Sequence, residues 1–143
     1  MFRFGIAASL IIFISSCVNP PDYSPIPEIE FDSISTTFAR SGQDSITFFI
    51  GFTDGDGDVG SDVKPNLFFL DNRTGYADSF KIPNLTPEGN VKAITGTIAY
   101  TRSSFSCIPG KLFDTLYYTI YIEDRAGHRS NQVITPDIVL QCQ

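Results

Sequence analysis

The sequence predicts an all-β fold, an antiparallel sandwich of about seven short strands. Three observations carry that prediction. Apolar and polar residues alternate with period two over 45–53, 91–102 and 115–123. The same stretches are rich in β-branched and aromatic residues, which suit a pleated, half-buried surface. Between them cluster glycine, proline, aspartate and asparagine, the residues that punctuate strands. No segment after residue 27 shows a helical period.

Two other segments precede the strands. Arg3 in a short start, an apolar run from Gly5 to Ile14, and the small residues Ser15 and Ser16 describe a secretory signal peptide over 1–16. The apolar run is too short for a transmembrane helix, which needs about 20 residues. An ordinary signal peptide requires no cysteine at its end, yet Cys17 stands there. The four residues Ile14-Ser-Ser-Cys17 resemble the lipobox of bacterial lipoproteins. That resemblance implies acylation of the Cys17 thiol, cleavage before it and acylation of the new amino terminus. Several acyl chains give the stable anchoring that one chain does not. The expected address is the cell envelope, with a lipid anchor in the outer membrane.

Cleavage after residue 16 leaves 127 of the 143 residues, enough for one domain with a real core. Arg3 leaves with the signal, so 9 basic residues face 16 acidic ones and the mature formal charge is −7. That acidity excludes nucleic acid as the expected partner and excludes adhesion to anionic lipid through a basic patch. The membrane contact therefore falls to the lipid on Cys17.

Residues 17–27 form the lipidated cysteine and a stalk. Four prolines within the ten residues 18–27 favour extended polyproline II, with a reach of roughly 30 Å. The domain is expected over 28–143. Its first strand candidate is 29–38. The next, 45–53, sets Ile46, Phe48, Ile50 and Phe52 on one face. Shorter candidates are 66–72 and 78–82. The stretch 91–102 sets Ile94, Gly96, Ile98 and Tyr100 against Thr95, Thr97, Ala99 and Thr101. The stretch 115–123 sets Leu116, Tyr118, Ile120 and Ile122 against Tyr117, Thr119 and Tyr121, and 133–140 closes the domain.

Two motifs refine the fold class. Asp114 lies four residues before Tyr118 at the start of a strand, which resembles the tyrosine corner of immunoglobulin-like domains. The run Glu123-Asp-Arg-Ala-Gly-His-Arg-Ser130 resembles a turn of bacterial immunoglobulin-like and fibronectin-like modules. The chain as a whole resembles the small immunoglobulin-like lipoproteins of Bacteroidota-type bacteria. The resemblance implies an immunoglobulin-like sandwich with the loops after 45–53 and 115–123 at one end. With Cys17 acylated, Cys107 and Cys142 remain, and an even pair in an exported chain reads as a disulfide. In such a sandwich the connection holding Cys107 and the end of the last strand share a pole.

The concentrated chemistry is an acidic loop, Asp54-Gly-Asp56-Gly-Asp58, followed by Asp62. Calcium takes six to eight hard oxygen ligands, and alternating carboxylates on a glycine-softened backbone can wrap one ion. The spacing resembles the start of calcium loops in extracellular modules. It departs from an EF-hand, with Val59 at the sixth position and Pro65 at the twelfth, so a bound ion draws ligands from elsewhere. Asp62 and Asp124 are the candidates to complete a site with Asp54, Asp56 and Asp58. A solvated turn that protects a sheet edge is the competing reading. Against it, carboxylates crowded this closely repel one another.

No nucleophile elbow, metalloprotease helix or cysteine pair of redox spacing occurs, and the one histidine, His128, falls in a predicted turn. The chain is therefore expected to bind and not to catalyse. Tyr117 and Tyr121 share the face opposite the core in 115–123, which opens a second reading, a glycan-binding lipoprotein whose rings stack on sugars. With 13 phenylalanines and no tryptophan, core packing competes for those rings.

Overall fold

The computed structural model describes residues 21–84 and 92–143. The expected signal peptide and Cys17 lie outside the described residues. The described chain is all-β, with strands β1 (Glu28–Ile34), β2 (Phe38–Arg40), β3 (Ser45–Asp54), β4 (Leu67–Asp71) and β5 (Ala77–Phe80), then β6 (Ile94–Ser103), β7 (Phe113–Leu116), β8 (Tyr118–Ile122), β9 (Val133–Ile134) and β10 (Ile138–Gln141).

Three sheets form, ordered β1-β3-β6, β2-β10-β7 and β5-β4-β8-β9. The last two continue into one another through the chain itself, since β7 runs into β8 and β9 into β10. They make one layer and β1-β3-β6 the other. All pairings are antiparallel except β2 on β10, which is parallel.

Ten strands replace the expected seven because three predicted strands divide. The 29–38 segment leaves β3 after Ile34 and resumes as β2 on the opposite layer. The 115–123 segment breaks at Tyr117, whose N–H donates to Asn72 Oδ1 (2.8 Å) and whose carbonyl accepts from the Asn72 N–H (3.2 Å). Asn72 thus takes both ladder positions of that residue. The last segment breaks at Pro136, which has no N–H to give a ladder. Thr135, just before it, holds Tyr118 with both its N–H and its hydroxyl, each at 3.0 Å.

The core follows the predicted faces. Ile46, Phe48, Ile50 and Phe52 of β3 meet Leu116, Tyr118, Ile120 and Ile122 of the other layer, all buried. Phe69 of β4 is the hub. Its ring lies 5.1 Å from Phe48, 5.3 Å from Tyr100, 5.5 Å from Tyr118 and 5.8 Å from Phe80. Edge-on and tilted geometries of this kind add to area burial.

Asp114 departs from the tyrosine-corner expectation. Its buried carboxylate accepts from Arg73 Nη1 and Lys111 Nζ, each at 2.6 Å, and from the Ile108 N–H at 3.0 Å. Burial alone would raise its pKa. The Lys111 ammonium, the Ile108 amide and the Arg73 guanidinium overcome burial and hold the carboxyl well below the usual range. Tyr118 instead sits in the core under the Arg102 guanidinium, 5.3 Å from its ring, and burial pushes its hydroxyl up to about 12.

Beside this network Cys107 and Cys142 form the predicted disulfide, 35 residues apart in sequence. Closing a loop of that length should stabilise the fold by about 4 kcal/mol in the chain-entropy picture. Denaturant melts of Cys107→Ala plus Cys142→Ala against the parent check this. A loss below about 1 kcal/mol would show that the denatured chain gains little freedom there.

Candidate metal centre

β3 carries its core pattern to Asp54, where a carboxylate replaces the apolar residue that the alternation calls for. Asp54 is completely buried. Its Oδ2 accepts the Asp58 N–H at 2.8 Å, which folds the following residues into a turn. Gly57, at φ 73°, supplies the left-handed position that this turn requires. Asp58 ties the turn to the 123–130 segment. Its Oδ2 accepts the Ala126 N–H at 3.1 Å and its carbonyl accepts the Arg125 N–H at 3.3 Å.

The turn brings Asp54, Asp56 and Asp58 together, so that one carboxylate oxygen from each lies within 4.8 Å of the others. Oδ1 of all three is shielded from water and has no hydrogen-bond partner among the described residues. A buried acceptor without a partner costs about 1–3 kcal/mol, and more when charged. No lysine or arginine forms an ion pair with any of the three among the described residues. Protons are the remaining relief within the chain. Burial, then the charges of Asp124, Asp56 and Asp54, pushes the Asp58 carboxyl up to about 6 against the Ala126 amide. Burial likewise raises Asp54, opposed by the Asp58 amide and reinforced by Asp56 and Asp124.

The two completing candidates are placed differently. Asp124 is buried close by, but its oxygens hold His128, one accepting the N–H at 2.7 Å and the other contacting Nδ1 at 2.8 Å. Asp62 is exposed on the far side of Gly60, where its Oδ1 accepts the Asn84 N–H at 3.3 Å. Neither joins the three-carboxylate group. What the sequence did not signal is the Ala126 amide, a backbone donor 68 residues from Asp58.

The Asp124 carboxylate fixes the His128 ring through its Nδ1 and holds the His128 N–H as well. The hydrogen bond with Asp124 raises the imidazole pKa first, and the Asp124 charge raises it further. No hydroxyl or thiol is hydrogen-bonded to the other ring nitrogen among the described residues.

The candidate sugar platform also looks different in three dimensions. Tyr121 points outward from β8, yet Phe68 stacks on it at 4.7 Å with the planes 10° apart. The Arg129 guanidinium lies 4.3 Å from the same ring. Tyr117 sits at the break between β7 and β8. A groove of about 390 Å³ on the outer face of β1-β3-β6 is lined by polar side chains, among them Glu30, Asp32, Thr53 and Thr97.

Comparison with family models, with curated proteins and with solved structures gives no match to this chain. Among the described residues no helix is long and apolar enough to cross a membrane.

A carboxyl with a folded pKa near 6 and an ordinary value of 3.8 leaves stability untouched in acid and costs stability as pH rises between those values. In chelator, the melting temperature of Asp58→Asn should therefore pull ahead of the parent's as pH rises from about 4 to about 6. Calorimetric scans across that window read it, and a constant difference would contradict it.

Proposed function

We propose that this chain is a non-enzymatic, lipid-anchored envelope lipoprotein whose immunoglobulin-like domain is an interaction module stabilised by calcium at Asp54, Asp56 and Asp58. One observation carries the calcium reading: three carboxylates converge with a water-shielded, unpartnered oxygen on each and no basic side chain to offset them. Calcium–oxygen distances are about 2.3–2.6 Å, so oxygens on opposite sides of one ion stand about 5 Å apart. The observed spread, within 4.8 Å, suits that ion. Backbone carbonyls and water complete the shell, since the turn supplies only three side chains.

The anchor rests on Ile14-Ser-Ser-Cys17 and the proline-rich stalk behind it. The interaction half is supported by exposed apolar side chains, Phe38, Leu112 and Phe113, around the disulfide. That end of the domain is a full β3 length, about 30 Å, from the acidic loop. A partner protein is favoured over a glycan because the Tyr121 ring is already engaged by Phe68 and Arg129.

Open, glycine-rich sites of this kind bind with a dissociation constant of order 10⁻⁴–10⁻³ M. At about 1 mM calcium, roughly one to ten times that constant, the fold should gain about 0.4–1.4 kcal/mol. Thermal melting in millimolar calcium against chelator reads this gain, and Asp56→Asn should abolish it. A midpoint indifferent to calcium in the parent would leave the loop a solvated turn.

For the anchor, Cys17→Ser should move the protein from the membrane to the soluble fraction and end its labelling by a fatty-acid analogue. A variant that stays membrane-bound and labelled would overturn the lipoprotein reading.

A further inference from the structure

We infer that the calcium loop is also the dock for the stalk, so that cation occupancy decides whether the tether segment lies against the domain or hangs free. This rests on the calcium reading above and adds a regulated partner, the chain's own residues 21–27.

The link is Gly55, the residue between the first two carboxylates. Its N–H donates to the Ser24 carbonyl at 2.8 Å. Its own carbonyl accepts the Ala93 N–H at 2.9 Å. The peptide of Gly55 is thus sandwiched between the stalk on one side and the approach to β6 on the other, prolonging the β1-β3-β6 sheet beyond Asp54. The stalk backbone lies so close that a Cβ on Gly55 would stand 2.2 Å from the Tyr23 carbonyl oxygen. Only glycine admits the stalk there.

Little else holds the segment. Tyr23 is half-buried and Pro27 is buried, whereas Pro21, Asp22, Ser24, Pro25 and Ile26 are exposed. The Ser24–Gly55 hydrogen bond is therefore the main fastening upstream of Pro27. A backbone contact of that kind survives only while the acceptor and donor planes are fixed. Asp54 and Asp56 flank the donor, and their mutual repulsion works to open the turn when no cation offsets it. A calcium ion among Asp54, Asp56 and Asp58 closes the turn and fixes the Gly55 amide toward Ser24. Without it the seven residues 21–27 are released, and as polyproline II they add about 20 Å to the reach of the tether. Binding linkage is reciprocal, so the docked stalk must in turn tighten calcium.

The test is amide exchange on the mature chain, with and without millimolar calcium, beside calorimetry of calcium on the same samples. Calcium should slow exchange at the Gly55 amide and at the amides of residues 22–24 and 26 by about 5- to 150-fold, the usual span of intramolecular coupling. Gly55→Ala should leave the stalk exchanging fast in both conditions while calcium still binds, more weakly by a similar factor. A chain lacking residues 21–24 gives an independent check that does not alter the loop, and its calcium affinity should fall by the same factor. Calcium heat with unchanged stalk exchange, or an unchanged affinity in the shortened chain, overturns the docking inference and leaves the site standing. The absence of any calcium heat in the parent overturns both.

Discussion

Asp54 ends a ten-residue strand with a carboxylate that water does not reach, and one pole of the domain is organised around it. An unpaired buried ion costs several kcal/mol, so the structure surrounding it has to supply compensation. Part of it is visible. The Asp58 amide turns back onto Asp54, Asp58 receives the Ala126 amide, and the loop is thereby stitched to the turn after β8. Gly55 carries the same geometry outward to Ser24 and Ala93. Each of these contacts presupposes the turn that Asp54 starts. The compensation stays incomplete, because Oδ1 of Asp54, Asp56 and Asp58 finds no donor among the described residues.

The opposite pole shows what a complete solution looks like in this chain. Asp114 is as inaccessible as Asp54, but it receives Arg73, Lys111 and the Ile108 amide, and its carboxyl is held low where that of Asp54 is pushed up. A disulfide closes the same region covalently. The two buried aspartates differ in their partners, not in their burial. Asp114 is fully offset from within the chain and serves the fold. The acidic turn has its charge gathered and left over, which is why a cation from outside is the economical reading of it. In that region the His128 imidazole is already engaged by Asp124, and the Arg125 guanidinium by the Gly60 carbonyl and the Asn84 side chain.

The parts legible in the sequence are those governed by local pattern. The alternation in 45–53 marked the buried face of β3, and the pair left after Cys17 marked the disulfide, because period and count need no tertiary knowledge. The three close aspartates were legible for the same reason. What was not legible depends on residues distant in sequence. Nothing near Tyr117 announces that Asn72 will take both its ladder positions and divide β7 from β8. Spacing alone could not tell Asp62, carried past the bend at Gly60 toward Asn84, from Asp124, buried by the site but engaged with His128. The motif around Asp114 was read through its neighbour Tyr118, whereas Arg73, 41 residues upstream, is its partner.

The aromatic side chains complete the physical picture, and they bear on what kind of ligand the domain can hold. Phe48, Phe69, Phe80, Tyr100 and Tyr118 join the two layers, and Arg102 lies over Phe80, Phe105 and Tyr118 at 5.3–5.9 Å. Its Nε and Nη1 find no hydrogen-bond partner among the described residues, so the ring faces and the Asp78 ion pair are what hold that guanidinium in place. On the outer surface Tyr121 is likewise used between Phe68 and Arg129. Rings enclosed in this way stiffen the sheet. The chemistry the domain still offers is oxygen, concentrated where the acidic turn meets the tether. Carboxylates and backbone oxygens are the groups that suit the hard cation we propose for that pole.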